Sequence, residues 1–337
     1  AAGAASVVLL AALARRLVCA RAARLAAIGF ALYPALVYMS TQVSAANVYL
    51  PVELALFLSL IAASRSSSWP RWLAAGLVLG VLCLLRAEAV VLIPLATAWL
   101  VWTARGTPVG RARTGLVAVF AVAAIMLPGA WMVRNSLELG EPVATVTTTS
   151  GLNLWHGNHA GASGSQKSVE LPPEMAERIS RIDAGDAFEL RRDEVFRSEA
   201  LSYMADDPVG TLVRDVKKVG LLLVADVHDP RSLNPAYLAS YAVLATLGTA
   251  GLVRWWRDQP EADTLRWLVG GYLAMSVLIP AVFFALARYR LPIEMMLVVF
   301  AAGWLADRTA PRPGAEAAPT SLSDMAEHTR PVTEVRG

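Results

Sequence analysis

Three arginine-bearing stretches hold the residue types best suited to chemistry in this chain. Arg86 and Glu88 interrupt an apolar hairpin that reads Leu84-Leu85-Arg86-Ala87-Glu88-Ala89-Val90-Val91. Arg134 and Asn135 close another apolar run, and Arg288, Tyr289 and Arg290 precede a third, followed by Pro292 and Glu294. A guanidinium stays charged in a semi-apolar setting, and its fork of donors matches phosphate oxygens bidentately. Three such groups on one side of a membrane suit a phosphate or pyrophosphate headgroup, with Arg134, Arg288, Arg290 and Tyr289 as the phosphate-binding set. A second reading stays open beside it: the arginines snorkel to the interface or pair locally with Glu88 and Glu294. Charged groups in apolar runs are expensive, so function is their default reading.

A turn rich in Gly, Asn and Trp supplies a second kind of chemistry. It reads Gly151-Leu-Asn153-Leu-Trp155-His156-Gly157-Asn158-His159. An indole can stack on a sugar face and amides can bond hydroxyls, so Asn153, Trp155 and Asn158 are candidates for contact with a sugar or an acceptor. The alternative is a purely structural turn. Asn47, Glu53, Arg86, Glu88 and Asn135 are the candidate cavity-lining residues. Glu53 is equally readable as the partner of an arginine inside a helix bundle. His156 and His159 could begin a metal site, but no third ligand is evident. No metal site is assigned and no cofactor is called for, with a divalent metal left open. No Gly-rich nucleotide loop, Walker motif or Ser/His/Asp arrangement is present.

The elements that must position these groups follow from composition. The 337 residues are 56% hydrophobic and 17% charged, with mean hydropathy +0.49. A soluble domain of this size carries more charge. Apolar runs cover roughly 1–18, 24–43, 47–63, 72–85, 88–104, 114–133, 236–253, 266–285 and 290–306. Runs of about 17 residues or more can cross a hydrocarbon layer of about 30 Å. The expected fold is therefore an all-α polytopic membrane protein with about nine transmembrane helices and a mixed extracytoplasmic loop domain. Its parts are transmembrane helices over 1–133, a loop domain over 134–235, transmembrane helices over 236–306 and a disordered cytoplasmic tail over 307–337. The formal charge of +3 needs no nucleic-acid partner. Cys19 and Cys83, in or beside apolar runs, read as packing residues.

Orientation follows from basic residues in short loops. Arg15, Arg16, Arg21 and Arg24 mark the first cytoplasmic turn, then Arg65 and Arg71, then Arg105, Arg111 and Arg113, then Arg254, Arg257 and Arg266. That leaves the three arginine stretches and the long 134–235 segment on the opposite face, as the working face of an integral protein of the plasma (inner) membrane. Within the segment, Ala144–Thr149 is β-prone. Pro172–Met204 reads as helices broken at Asp183–Asp186, and a helix near 209–225, flanked by Arg214, Lys217 and Lys218, reads as lying on the membrane surface. The chain opens without Met and without a signal-peptide pattern, which reads as a helix cut at its start.

Taken in order, these motifs resemble the bacterial membrane glycosyltransferases of the GT-C superfamily, of the protein O-mannosyltransferase and aminoarabinose transferase type (glycosyltransferase family 39-like). Tyr33-Pro34 before a short turn, Gly76-x-x-x-Gly80 followed by Leu85-Arg86-Ala87-Glu88, and Pro128-x-x-Trp131-x-x-Arg134-Asn135 carry the first part of the resemblance. Gly140, the Thr run, Gly151-x-Asn153-Leu-Trp155 and Gly157-Asn158 continue it, and Arg288-Tyr-Arg-Leu-Pro292 closes it. Position 87 is Ala where that family usually has Pro. The resemblance implies a polyprenyl-phosphate-linked sugar donor, membrane lipid as its setting, and an extracytoplasmic acceptor of unspecified type. It also implies transfer with inversion, assisted by a carboxylate base that the family carries upstream of the position matching Ala1. The rival readings are a transporter or flippase of lipid-linked glycan intermediates, and a non-catalytic scaffold.

Overall fold

The computed structural model describes residues 1–105, 110–165, 171–230, 232–258 and 263–309. The expected tail lies almost wholly outside the described residues. In chain order the helices are α1 (Ala2–Leu17), α2 (Ala20–Leu32), α3 (Pro34–Ser40), α4 (Ala46–Ser64), α5 (Trp69–Leu85), α6 (Leu92–Arg105) and α7 (Gly110–Leu139). There follow α8 (Ser150–Gly157), α9 (Pro173–Ser180), α10 (Phe188–Asp206), α11 (Pro208–Leu223), α12 (Pro235–Asp258), α13 (Asp263–Val282) and α14 (Leu291–Arg308). Short 3-10 turns at Ala87–Val91 and Ala287–Arg290 lead into α6 and α14.

The fold is an all-α polytopic membrane protein. The nine apolar runs are mostly helical, the run 24–43 being broken at Tyr33. Six helical stretches are long and apolar enough to cross a membrane, and the α2–α3 pair, bent by 60°, makes up to seven. The bend has a local cause: Tyr33 is extended, as the residue before a proline tends to be, and Pro34 opens α3. Helices α1 and α5, at 16 and 17 residues, sit at the lower limit of what a span needs.

Packing is set by glycines that admit a neighbour. A Cβ at Gly76 would strike the Phe120 carbonyl and Ala123, so the Gly76/Gly80 stripe lets α5 lie directly on α7. Gly248 and Gly251 of α12 do the same against Leu297 and Phe300 of α14. Helix α14 is the central post. Its surface is apolar nearly all round and buried against α1, α2 and α12.

Helix α7 overruns its apolar segment. It was expected to end at Arg134-Asn135, but continues through Ser136–Leu139 and stops at Gly140, whose φ of +66° suits a residue without a Cβ. The β-prone Ala144–Thr149 forms no strand. It bends at 145, 146 and 148, and Thr145, Thr147 and Thr149 bond to one another instead of to a sheet. The loop segment is thus helical rather than mixed among the described residues. Its break between α9 and α10 falls at the expected Asp183–Asp186.

The loop segment has its own small core of Trp155, Met175, Phe196 and Ala200. Asp193 on α10 holds the start of α8: its oxygens accept the amides of Gly151 and Leu152, each at 2.9 Å. These are donors that a helix N-terminus otherwise leaves open. A second tie binds α8 and α11 to the end of α13. The Val282 carbonyl accepts Asn158 Nδ2 at 2.8 Å and Lys218 Nζ at 3.2 Å. A cation and an amide there satisfy a carbonyl left over at a helix C-terminus.

Candidate functional site

Arg86 is the hub of the site. It caps α5 in an extended conformation, its amide still bonded to Leu82, which turns its side chain away from the helix. Its Nε donates to Glu88 Oε1 at 2.8 Å, and Nη1 lies 3.6 Å from Glu53 Oε1. The guanidinium lies over the Tyr49 ring at 4.4 Å, with the Tyr289 ring at 5.8 Å. Two carboxylates and two rings from α4, the 87–91 turn and the 287–290 turn therefore fix one cation, desolvated where a cation–π contact is worth about 2 kcal/mol.

This hub closes the polar end of a cavity of about 350 Å³. The other walls are apolar, from Val90, Met132, Met275, Ile279 and Phe283 among others. Glu53 Oε2 and the Tyr272 hydroxyl are buried here with no partner of hydrogen-bond geometry, although the two groups are close enough to interact. Buried polar atoms that meet only one another at a cavity wall can turn to a ligand. Arg86, Glu88, Asn153 and Tyr289 also border an adjoining cleft of about 710 Å³, where Arg288 joins them. Arg288 is exposed, its guanidinium 5.5 Å from the Tyr289 ring, and no carboxylate pairs with it among the described residues. Four formal charges thus meet, two of each sign, with Arg288 the one left uncommitted.

The other expected residues separate. Arg134 lies over the Trp131 ring at 5.3 Å and donates to Asn135 Oδ1 at 3.1 Å. Both face a different groove, of about 760 Å³, between the end of α7 and the turn before α10. Arg290 belongs to neither space. Its Nε donates to Glu294 Oε1 at 2.6 Å, its Nη1 to the Val224 carbonyl at 3.2 Å, and the Tyr241 ring covers it at 3.6 Å. It fastens α14 to the end of α11 and to α12, the local-pairing reading, rather than facing a phosphate. Asn47 braces the α3–α4 turn by donating to the carbonyls of Met39 and Gln42.

The glycine-rich turn splits in the same way. Asn153 lines the cavity and the cleft. Trp155 does not: only 1% of it is exposed, and it lies in the loop core with the His159 ring stacked on it at 4.2 Å. Asn158 is fully buried in the tie to α13, its Oδ1 accepting Lys218 Nζ at 3.0 Å. Lys218, expected on the basic flank of a surface helix, is equally enclosed. Burial pulls its ammonium below the ordinary lysine range, and Asp215 opposes that shift. Burial also holds His156 and His159 below the ordinary histidine value; the neighbouring His159 adds to the fall at His156, while the Trp155 carbonyl opposes it at His159. No group of three or more potential metal ligands occurs among the described residues.

Reasoning from residue types missed Asp193, Asp226 and Tyr272. Asp226 is buried and accepts Ser165 Oγ at 2.7 Å. Their signals were weak: each stands among many similar residues, and only the packing selects it.

The described residues thus define a polytopic helical membrane protein with a buried arginine–carboxylate hub beside an apolar cavity. Residues 1–135 match the family model described as dolichyl-phosphate-mannose-protein mannosyltransferase. That match supports a glycosyltransferase-like protein of the GT-C kind. It covers Glu53, Arg86, Glu88, Arg134 and Asn135, and stops before the loop segment and Arg288. Neither the curated proteins nor the solved structures give a match.

Proposed function

We propose that the protein transfers a sugar, with inversion, from a polyprenyl-phosphate-linked donor to an extracytoplasmic acceptor. The observation that carries this is the pairing of an apolar slot with the Arg86–Arg288 end of the adjoining cleft. The prenyl chain lies among Met132, Met275, Ile279 and Phe283. The phosphate sits by Arg288 and Arg86, and the sugar meets Glu53 Oε2, Tyr272 and Asn153. As the acceptor oxygen attacks the anomeric carbon, the bond to the phosphate oxygen breaks and negative charge gathers on the leaving phosphate. Preorganised guanidinium groups stabilise that charge in a site of low dielectric. The proton of the acceptor hydroxyl goes to a carboxylate base. The working face is the loop side of a plasma-membrane protein, and α11 lies on the lipid surface. Its support is an exposed stripe of Val209, Leu212, Val213 and Val216 at helical spacing.

Arg288→Ala in the full-length protein tests the assignment. Transfer from a polyprenyl-phosphate sugar is expected to vanish while the fold persists; unchanged turnover would sink it. The broken α2–α3 span favours a second reading, since transporters build sites on interrupted helices. Scrambling of a fluorescent lipid-linked sugar across proteoliposomes, with no transfer to any acceptor, would establish that reading in place of the first.

A further inference from the structure

The groove beside Arg134 is a space separate from the donor cleft, although Trp131 borders both, and its wall is built for a ligand. Trp131 stands at its edge, 43% exposed, its indole N–H fixed by the Val146 carbonyl at 3.2 Å. Glu138 of α7, Asp186 of the turn before α10 and Glu189 of α10 supply carboxylates, Glu189 already accepting the Thr148 hydroxyl at 3.0 Å, and Asn135 an amide that is 7% exposed. Among the described residues, the backbone amides of Val146, Thr147 and Thr148, which line the groove, bond to no protein group. Backbone donors of this kind find a partner in water or ligand. Val146 and Thr147 border the groove, the cleft and the cavity together, so one turn of chain separates the groove from the proposed donor.

An aromatic platform, carboxylate acceptors and a run of free amide donors form a distinctive set. A phosphate would be repelled by three carboxylates. An extended peptide needs amides in regular alternation, which the bends at 145, 146 and 148 deny it. A sugar fits: hydroxyls donate to carboxylates and accept from amides, and the C–H face of the ring lies on the indole. We propose that this groove binds a neutral, hydroxyl-rich glycan and presents one hydroxyl across the Val146–Thr147 divider. Calling that glycan the acceptor rests on the transferase reading above; the binding itself does not.

The test uses the full-length protein in lipid nanodiscs and a panel of neutral trisaccharides (mannose-, glucose- and xylose-based), with a Ser/Thr-rich peptide as competitor class. Binding is read by calorimetry and saturation-transfer NMR. At least one trisaccharide is expected to bind, and Trp131→Ala to weaken it about tenfold or more, the scale of a lost aromatic stack. Trp131→Phe should recover most of the loss. The double variant Asp186→Asn, Glu189→Gln, in which the glutamine keeps an acceptor for the Thr148 hydroxyl, should weaken glycan binding while polyprenyl-phosphate binding stays as in wild type. If no trisaccharide binds at about 20 mM, if the peptide binds in a Trp131-dependent way instead, or if the double variant binds the glycan normally, the proposal is overturned. Donor hydrolysis without glycan binding overturns this site and spares the transferase. Glycan binding without any transfer spares the site and removes the transferase.

Discussion

The hub around Arg86 and the groove around Arg134 are built from similar residues to opposite ends. In the hub, one arginine meets two carboxylates and two tyrosine rings and is nearly dry. In the groove, one arginine lies on one tryptophan, bonds a neighbouring amide, and leaves three carboxylates beside it unpaired with it. The first arrangement fixes a charge before any ligand arrives. The second leaves donors and acceptors free for a ligand to satisfy. Identical residue types are thus sorted by burial and by which partners the helices bring, not by charge alone.

The sharpest way to break this contrast is kinetic. Arg288→Ala and Arg86→Gln should each lower transfer by about a thousandfold or more, the scale of removing a group that stabilises transition-state charge. Arg134→Ala should leave the donor KM unchanged and raise the acceptor KM by about tenfold. Equal effects of Arg134 and Arg288 on donor KM would return Arg134 to the phosphate set.

The two tryptophans sharpen it next. Trp155→Ala should destabilise the loop segment by about 3–5 kcal/mol, the cost of emptying an enclosed aromatic site. Limited proteolysis between α9 and α10 would detect this as early cleavage, while Trp131→Ala should leave the cleavage time unchanged.

Lys218→Met comes third. It strands Asn158 Oδ1 and leaves the Val282 carbonyl with Asn158 Nδ2 alone, for about 1–3 kcal/mol. Hydrogen exchange at the end of α13 should quicken, with no change at α5.

The smallest effect is that of pH. His156 and His159 are held neutral by burial, so their folded-state values lie below the unfolded value of about 6.5. Their contribution is whole above that value and is lost as pH falls toward the folded-state values, because the unfolded chain takes up protons first. Melting should therefore drop a few degrees between about pH 7.5 and pH 5.5, and less so in a His156→Gln, His159→Gln variant.

Much of the fold was legible because helix periodicity and apolar length are local properties. The pairings of Arg86 with Glu88 and of Arg290 with Glu294 were legible too, since two or four residues separate the partners. What settled their meaning came from far along the chain. Tyr241 and the Val224 carbonyl enclose Arg290, and Glu53 and Tyr289 complete Arg86. Trp155 looked like a sugar platform because its neighbours are polar; only Phe196 and Met175 reveal it as core. Ala144–Thr149 was β-prone by composition, but a strand needs a partner, and the helices around it offer none.

Helix α7 is a rod of 30 residues, about 45 Å at the helical rise, against a hydrocarbon layer of about 30 Å. Counted from Arg113, Trp131 stands about 27 Å along the helix and Glu138 about 37 Å, so the groove wall starts near the edge of the acyl layer and rises beyond it, past an interior Pro128. The height of the Arg134 groove above the lipid is then a matter of bilayer thickness as much as of sequence. A thicker membrane would draw that end of the rod inward toward the headgroups, whereas the donor slot, sunk among the helices, would move with the lipid it serves. Under the transferase reading, membrane thickness would then set the vertical gap between donor and acceptor.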